Sequence, residues 1–331
     1  MNISDTANAL KLAALVQSIA SQSQSLDEAA VARITRSTID GLLAEERKAL
    51  SSLTPHARAA AFEPSQTYTQ TATCKRLGKA ISVARRSGKR LVVVSGPSGS
   101  SKTFSARHAI HGQALPQYLV ECSGATTVED LVERPWTNSE GRWVWVEQAI
   151  VRAAREGAVV VLDEFDLADP SVVGRLHGIV DIGGTIRLAS GEELKAHDDF
   201  LVIACCNGLR RDSGGNYSVQ TISSALLGRA VFVAADYLTE TDEVAIYVAH
   251  GYAREASKQV YTALTGLRRA FVAGKIPVPP SPRLGLTVLA GLQCGLDETE
   301  AWGLALLDGL DAKARAAAQQ SIAAASATAA P

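Results

Sequence analysis

The sequence predicts an α/β fold in which a parallel sheet is sandwiched between helices, followed by a smaller helical domain. Short runs of valine, isoleucine and leucine alternate with helical patterns between residues 71 and 236. Such alternation is typical of a parallel sheet covered on both faces. The run "LVVVS" at 91–95 leads directly into the glycine- and serine-rich stretch "GPSGSSKT" at 96–103. After Tyr237 the strand patterns stop and helical ones continue.

Residues 1–63 are predicted to form an N-terminal helical region. Apolar residues recur at helix spacing from Leu12 to Ile19, and "SLDE" at 25–28 is a capping-box pattern that opens a second helix through Leu50. The stretch "TPHARAAAFEPSQ" predicts a linker that ends these helices near Pro64.

Residues 64–236 are predicted to form the α/β domain. Its predicted strands are 91–95, 118–122, 158–162, 200–206 and 230–235. Its predicted helices are 73–87, a helix from Lys102, 145–155 and 170–181. Strands and helices in this order predict a sheet with helices on both faces.

Residues 237–310 are predicted to form a helical lid domain. "TETD" is expected to cap a helix over 240–251, a second helix covers 255–273, and "PVPPSPR" breaks the chain before a third from Arg283. The alanine-rich residues 311–331 are predicted as a C-terminal tail that continues a helix and then frays.

Composition gives no global reason to expect nucleic acid or a membrane as the partner. Of the 331 residues 47% are apolar, and 33 basic side chains nearly balance 34 acidic ones. No signal-peptide pattern and no bilayer-spanning run are present, which predicts a cytoplasmic protein. The five cysteines lack C-x-x-C spacing, and Cys205 with Cys206 are expected in a buried strand.

A local charge bias leaves two interpretations open. No acidic residue lies between Glu63 and Glu121, whereas nine lysines and arginines do. They could form a face for a polyanion, or a solvated face offset by acids elsewhere, which the scarcity of interleaved aromatics favours. The only aromatic cluster, Trp136, Trp143 and Trp145, is expected to pack in a core or an interface.

The loop after the first strand predicts a phosphate-binding site. The candidate residues are Gly96, Pro97, Ser98, Gly99, Ser100, Ser101, Lys102 and Thr103. Backbone N–H groups of such a loop surround phosphates, Lys102 reaches the β- and γ-phosphates of ATP, and the Thr103 hydroxyl binds Mg²⁺. The alternative is a glycine-rich turn with a chance lysine, since Ser101 stands where the G-x-x-x-x-G-K-[ST] pattern has glycine.

Two acidic residues complete the predicted site. "VVVLDEFD" places Asp163 and Glu164 at the carboxyl end of a buried strand, where parallel sheets bind ligands. Asp163 can hold Mg²⁺ through water, and Glu164 can orient and polarise the attacking water. The alternative for each is a solvated acidic strand end.

Four longer stretches resemble AAA+ ATPases of the MoxR-type group, and most closely the small ATPase subunit of aerobic cobaltochelatase. They are "LDEFDLADPSVVGRLHGIVDIGGTIRL", "ACCNGLRRDSGGNYSVQTISSALLGR", "ADYLTETDEVAIY" and "SPRLGLTVLAGL". The resemblance runs from about residue 70 to 300. It implies a P-loop NTPase (AAA+) fold, a homo-oligomeric ring of six subunits, and a protein client or a von Willebrand A-type partner.

The resemblance also implies roles for three further residues. Asn207 matches sensor 1, which helps to hold the attacking water; its alternative is a cap at a strand end. Arg229 matches the arginine finger used by a neighbouring subunit, although Gly228 replaces the usual aspartate, and its alternative is a surface arginine. Arg283, behind the N-cap pair Ser281-Pro282, matches sensor 2, which reaches the γ-phosphate from the lid.

Three functions stay open at this point. The first is an ATP-driven ring that remodels a protein partner, and the second is metal insertion by a cobaltochelatase-like complex. The third is a nucleotide-bound scaffold that does not hydrolyse ATP. The N-terminal residues do not resemble those of the chelatase subunit, which disfavours the second function. The presence of Glu164 disfavours the third.

Overall fold

The computed structural model describes residues 70–138, 141–181, 183–207 and 228–329, together with Phe62 and Leu226. The predicted N-terminal helices and residues 208–225 lie outside the described residues. The chain divides into two compact units, residues 1–56 with 137–144 and residues 57–136 with 145–331. In the first unit the described residues form a turn, where the Asn138 N–H donates to the Arg142 carbonyl at 2.9 Å.

The second unit contains a five-stranded parallel sheet. Its strands are β1 (Leu91–Ser95), β2 (Gln117–Glu121), β5 (Val159–Asp163), β8 (Leu201–Cys206) and β9 (Ala230–Ala234), in the spatial order β2-β5-β8-β1-β9. The register pairs Ser95 with Cys206 and Leu162 with Ala204. The carboxyl ends of β5, β8 and β1 therefore lie side by side at one edge of the sheet.

Apolar residues cover both faces of this sheet. Successive side chains of a strand point to opposite faces, and Leu91 and Val93 pack in one apolar cluster while Val92 and Val94 pack in another. The helices of this domain are α1 (Ala72–Arg86), α2 (Lys102–His111), α3 (Val128–Leu131), α4 (Ala149–Glu156) and α5 (Pro170–Val180). The predicted α/β sandwich is confirmed, and Cys205 and Cys206 are fully buried in β8.

Two small hairpins interrupt the alternation. They are β3 (Glu133–Thr137) with β4 (Trp143–Glu147), and β6 (Thr185–Arg187) with β7 (Glu193–Lys195). The predicted helix over 145–155 is wrong in its first part, because residues 143–147 form a strand and α4 begins only at Ala149. The prediction of core packing is also wrong for Trp143, because this residue is 77% exposed.

A helical domain follows the sheet. Its helices are α6 (Glu240–Ala249), α7 (Arg254–Val272), α8 (Pro282–Gln293), α9 (Glu298–Ala305) and α10 (Ala312–Ala329). The Thr239 hydroxyl accepts the Asp242 N–H at 3.2 Å, so the predicted cap of the first helix is confirmed. Leu264, Leu267, Val288 and Trp302 lie in its apolar core. No helix among the described residues is long and apolar enough to cross a bilayer.

Candidate functional site

The predicted site residues meet where three neighbouring strands end. The phosphate loop follows β1, Asp163 ends β5, and Asn207 follows β8. Gly96 anchors the loop to the sheet, because its N–H donates to the Cys206 carbonyl at 3.3 Å. A Cβ at Gly96 would lie 1.9 Å from the Ala235 carbonyl oxygen, so only glycine fits this approach.

Lys102 points back into its own loop. Its Nζ donates to the carbonyls of Gly96 at 3.0 Å and Pro97 at 2.9 Å, and to Asn207 Oδ1 at 3.0 Å. Burial lowers the pKa of Lys102, and the carboxylates of Asp163 and Asp166 act in the opposite direction. Phosphate oxygens are charged acceptors and compete well with neutral carbonyls for the three ammonium protons.

Thr103 and Asp163 form the candidate metal-binding pair. The Thr103 hydroxyl donates to Asp163 Oδ1 at 2.6 Å. A hydroxyl and a carboxylate are hard oxygen ligands, and Mg²⁺ is commonly held by one or two such groups with water and phosphate. These two residues fit Mg²⁺ on that chemistry. Among the described residues no cluster of three His, Cys, Asp or Glu side chains could hold a metal by itself.

Glu164 adopts a backbone conformation that is unusual for its residue type. Its φ of 50° and ψ of 36° lie in the left-handed region, directly after the last residue of β5. Its N–H donates to Asp163 Oδ1 at 3.0 Å, and its residue is exposed. Left-handed backbone at a non-glycine residue costs free energy and clusters at functional sites.

Asp166 is a site residue that sequence reasoning missed. It is 2% exposed, and its Oδ2 accepts the Asn207 N–H at 3.0 Å. Burial raises the pKa of Asp166, and the Asn207 N–H opposes that rise. Asn207 is thus held by Asp166 through its backbone N–H and contacts Lys102 through its side-chain oxygen. The signal was the third carboxylate of "DEFD", which lies one short turn beyond Glu164.

The backbone conformation at Ser101 explains why the loop pattern has glycine at this position. Its φ of 60° is left-handed, and it precedes the first residue of α2 without a side-chain capping bond. The serine therefore carries a backbone cost in addition to any crowding of the phosphates. Elsewhere in the loop, Gly99 has a φ of 78°, and the buried Ser100 Oγ has no hydrogen-bond partner among the described residues.

Ser101→Gly is expected to stabilise the fold by about 0.5–1 kcal/mol and to tighten ATP binding, because glycine adopts positive φ without strain. Thermal unfolding and calorimetric titration with a non-hydrolysable ATP analogue measure the two effects. Ala114→Gly is the matched control, since exposed Ala114 has a φ of 55° away from the loop. If both variants gain stability but the Ser101 variant gains no affinity, the loop has adapted to serine.

The two candidate arginines lie on other elements, one directly before β9 and one on α8. Arg229 directly precedes β9 and so lies at the amino edge of the sheet, and its Nη2 donates to Asp181 Oδ2 at 2.8 Å. Arg283 is exposed in the first turn of α8. The residue before that helix, Ser281, faces the phosphate loop, because a Cβ at Gly99 would lie 2.4 Å from Ser281 Cβ.

Comparison with known proteins agrees with the geometry. Residues 91–230 match the family model of the AAA domain (dynein-related subfamily), in agreement with a P-loop α/β fold. An uncharacterized protein of Staphylococcus epidermidis is 30% identical over 152 residues, 44% of this chain and 56% of that protein. The denitrification regulatory protein NirQ of Stutzerimonas stutzeri is 33% identical over 117 residues, 35% of this chain and 42% of that protein.

The chain spans about half the length of these relatives. The solved structure of a candidate ATPase from Cytophaga hutchinsonii aligns over 67% of this chain and 68% of that chain. Its sequence identity is 12% and its TM-score is 0.43.

Proposed function

We infer from the AAA domain over residues 91–230 that the protein is a magnesium-dependent ATPase of the MoxR type, which assembles as a ring and remodels a protein partner. The observation that carries the ATPase proposal is the convergence of Lys102, Thr103 with Asp163, and Asn207 at three adjacent strand ends. A scaffold that only binds nucleotide has no use for an exposed carboxylate held beside these groups, which Glu164 supplies.

Each residue of the cluster has a distinct task. The loop N–H groups and Lys102 bind the phosphates, and the amino end of α2 adds favourable dipole charge. Thr103 and Asp163 would hold Mg²⁺, which when bound supplies positive charge against the phosphate oxygens. Glu164 orients a water and accepts its proton, while Asn207 fixes the position of that water. Arg283 approaches the γ-phosphate from the lid, and Arg229 serves the site of a neighbouring subunit.

The proposed client is another protein. One relative is named as a denitrification regulatory protein, and that name favours a regulatory role over metal insertion. A Glu164→Gln chain held with ATP is the suitable bait, and a Lys102→Ala chain is its matched control. A protein captured by the first bait but not by the second binds in a nucleotide-dependent manner. Refolding or altered activity of that protein by the parental ring would then test remodelling.

Lys102→Ala is expected to weaken ATP binding at least about 100-fold, because it removes the buried cation that faces the phosphates. Titration with a fluorescent ATP analogue measures the loss. Lys79→Ala on the exposed face of α1 is the control for removal of one lysine from the basic segment. Unchanged affinity in a folded Lys102→Ala chain would contradict the proposed nucleotide site.

A further inference from the structure

The lid domain contains a buried ion pair that the proposed reaction does not use directly. Glu243 of α6 is fully buried and Arg268 of α7 is 6% exposed. Arg268 Nη2 lies 2.9 Å from both Oε1 and Oε2 of Glu243, and the Tyr247 hydroxyl donates to Oε1 at 2.6 Å. Burial raises the pKa of Glu243, and Arg268 opposes that rise.

This network holds the segment that leads into α8. Arg268 Nε donates to the Pro280 carbonyl at 3.1 Å, and the Pro282 carbonyl lies 3.4 Å from the Tyr247 hydroxyl. Gly285 packs closely against the same hydroxyl, since a Cβ at Gly285 would lie 2.1 Å from it. The chain is therefore held before Ser281 by a hydrogen bond from Arg268 and packs after Ser281 against Tyr247, and these two residues belong to two other lid helices.

The fixed segment is also the part of the lid that contacts the phosphate loop. Ser281 lies between the two held prolines and leaves no room for a side chain at Gly99. Arg283, the candidate γ-phosphate ligand, follows two residues later on the first turn of α8. The Glu243–Arg268 pair is thus connected to the nucleotide site through Pro280, Ser281 and Gly99.

The physical chemistry of buried ion pairs indicates a geometric role. Desolvating two charges costs about as much as their attraction returns, and well-packed apolar residues are often equally stable in their place. The planar guanidinium of Arg268 does something that apolar residues cannot, because it binds a carboxylate through one nitrogen and a backbone carbonyl through another. Lysine lacks this fork.

We propose that Glu243 and Arg268 form a positioning clamp, which sets Ser281 against the phosphate loop and thereby places Arg283 for recognition of the γ-phosphate. This proposal rests on the proposed ATPase function and assigns to that site a part of the lid to which the sequence motifs give no role. The clamp acts through Arg283, so its loss should affect ATP and ADP differently.

The first experiment removes the clamp without leaving a buried charge. The double variant Glu243→Leu/Arg268→Met keeps an apolar core, and Arg268→Lys keeps the charge but not the fork. Arg269→Met is the matched control, because Arg269 is the exposed neighbour on the same helix. Affinities for ADP and for a non-hydrolysable ATP analogue are measured by calorimetry, with kcat and KM for ATP.

Both clamp variants are expected to bind ADP within about 2-fold of the parent, since Lys102 and its loop are unchanged. Their preference for the ATP analogue and their kcat should fall about 10-fold or more, the value of a hydrogen bond to a charged group. Arg283→Ala should give the same phenotype and add little in the clamp-variant background. A folded double variant with parental ATP preference and kcat would overturn the clamp.

The second experiment tests the contact between lid and loop. Gly99→Ala is expected to weaken ATP binding by clash and by φ strain, and Ser281→Gly in the same chain should restore part of the loss by removing the clashing Cβ. Gly88→Ala gives the strain alone, because its φ is 70° and a Cβ there meets nothing within 4 Å. No restoration by Ser281→Gly would overturn the connection to the loop.

The two proposals fail in different ways. A parental protein that neither binds nor hydrolyses ATP contradicts the ATPase proposal itself, and the clamp falls with it. A parental protein that hydrolyses ATP, with clamp variants that are folded and indistinguishable from it, contradicts the clamp alone. In that case Glu243 and Arg268 contribute only to lid stability.

Discussion

Glu164→Gln is expected to lower ATP turnover about 10²–10⁴-fold while ATP affinity stays within a few-fold of the parent, because the amide keeps the shape of the side chain but cannot accept a proton. Lys102, Thr103 and Asp163 provide the contacts proposed for binding, and this substitution touches none of them. The Glu164 N–H bond to Asp163 Oδ1 is a backbone contact and survives the change.

The left-handed backbone at Glu164 supports a specific role for its carboxylate. The residue tolerates strain directly after a buried strand, in a position where asparagine or glycine would be easier to accommodate. Such strain is informative when the side chain it directs has a task, and a positioned general base is the task proposed here. If the residue only terminated β5, replacing its carboxylate with an amide would change nothing.

Steady-state hydrolysis and titration with ATP on the same preparations measure the two quantities. Glu121→Gln is the matched control, because Glu121 is exposed at the end of the adjacent strand β2 and pairs in register with Asp163. It removes a carboxylate from the same edge of the sheet without touching the site. Turnover at the parental rate in the Glu164 variant, or an equal loss in the control, would make the assignment of the general base wrong.

The strands that carry the site could be predicted from the sequence because they are buried on both faces. A buried parallel strand reads as a continuous apolar run, and "LVVVS", "VVVLD" and "LVIACC" are such runs. Strand β4 was misassigned for the opposite reason. In its sequence "WVWVE" exposed tryptophans alternate with more buried valines, which is the period of two typical of a strand. The helix α4 begins only six residues after Trp143, so its helical pattern competed with the strand pattern.

Contacts between distant residues account for what the sequence could not predict. Asp166 matters because it accepts the N–H of Asn207, which lies 41 residues away. Arg268 matters because the fold brings it to Glu243 and to Pro280. Arg268 does not stand out by spacing or type, and Asp166 stands out only as the third carboxylate of "DEFD". The positive φ of Ser101 could likewise not be predicted, although the motif has glycine at this position.

The geometry of the sheet separates Arg229 from the site of its own chain. All five strands are parallel, so the residue before β9 lies at the amino edge while Lys102, Asp163 and Asn207 lie near the carboxyl edge. A strand of five residues is about 15 Å long, and an arginine side chain cannot cover that distance. If Arg229 serves catalysis, the phosphate it contacts belongs to a neighbouring subunit.

A head-to-tail interface would bring this amino edge of one subunit to the carboxyl edge of the next, and such an interface closes into a ring when the rotation between subunits permits. Within one chain Arg229 is held by Asp181 at 2.8 Å, and both side chains are part-exposed at 35% and 43%. Exposed ion pairs contribute about 0–1 kcal/mol, so this contact can orient the guanidinium and still release it to a phosphate. The ion pair with Asp181 is therefore compatible with a role of Arg229 in a subunit interface.

Arg229→Ala is accordingly expected to leave ATP binding nearly intact and to lower turnover about 10³–10⁵-fold, the range known for arginine fingers. Mixing Arg229→Ala with Lys102→Ala chains should restore part of the activity, because some interfaces then join an intact site to an intact arginine. Mixing Lys102→Ala with Glu164→Gln chains is the control, since every site is then damaged and no recovery can occur. No recovery in the first mixture, with subunit exchange demonstrated, would assign Arg229 to a structural role.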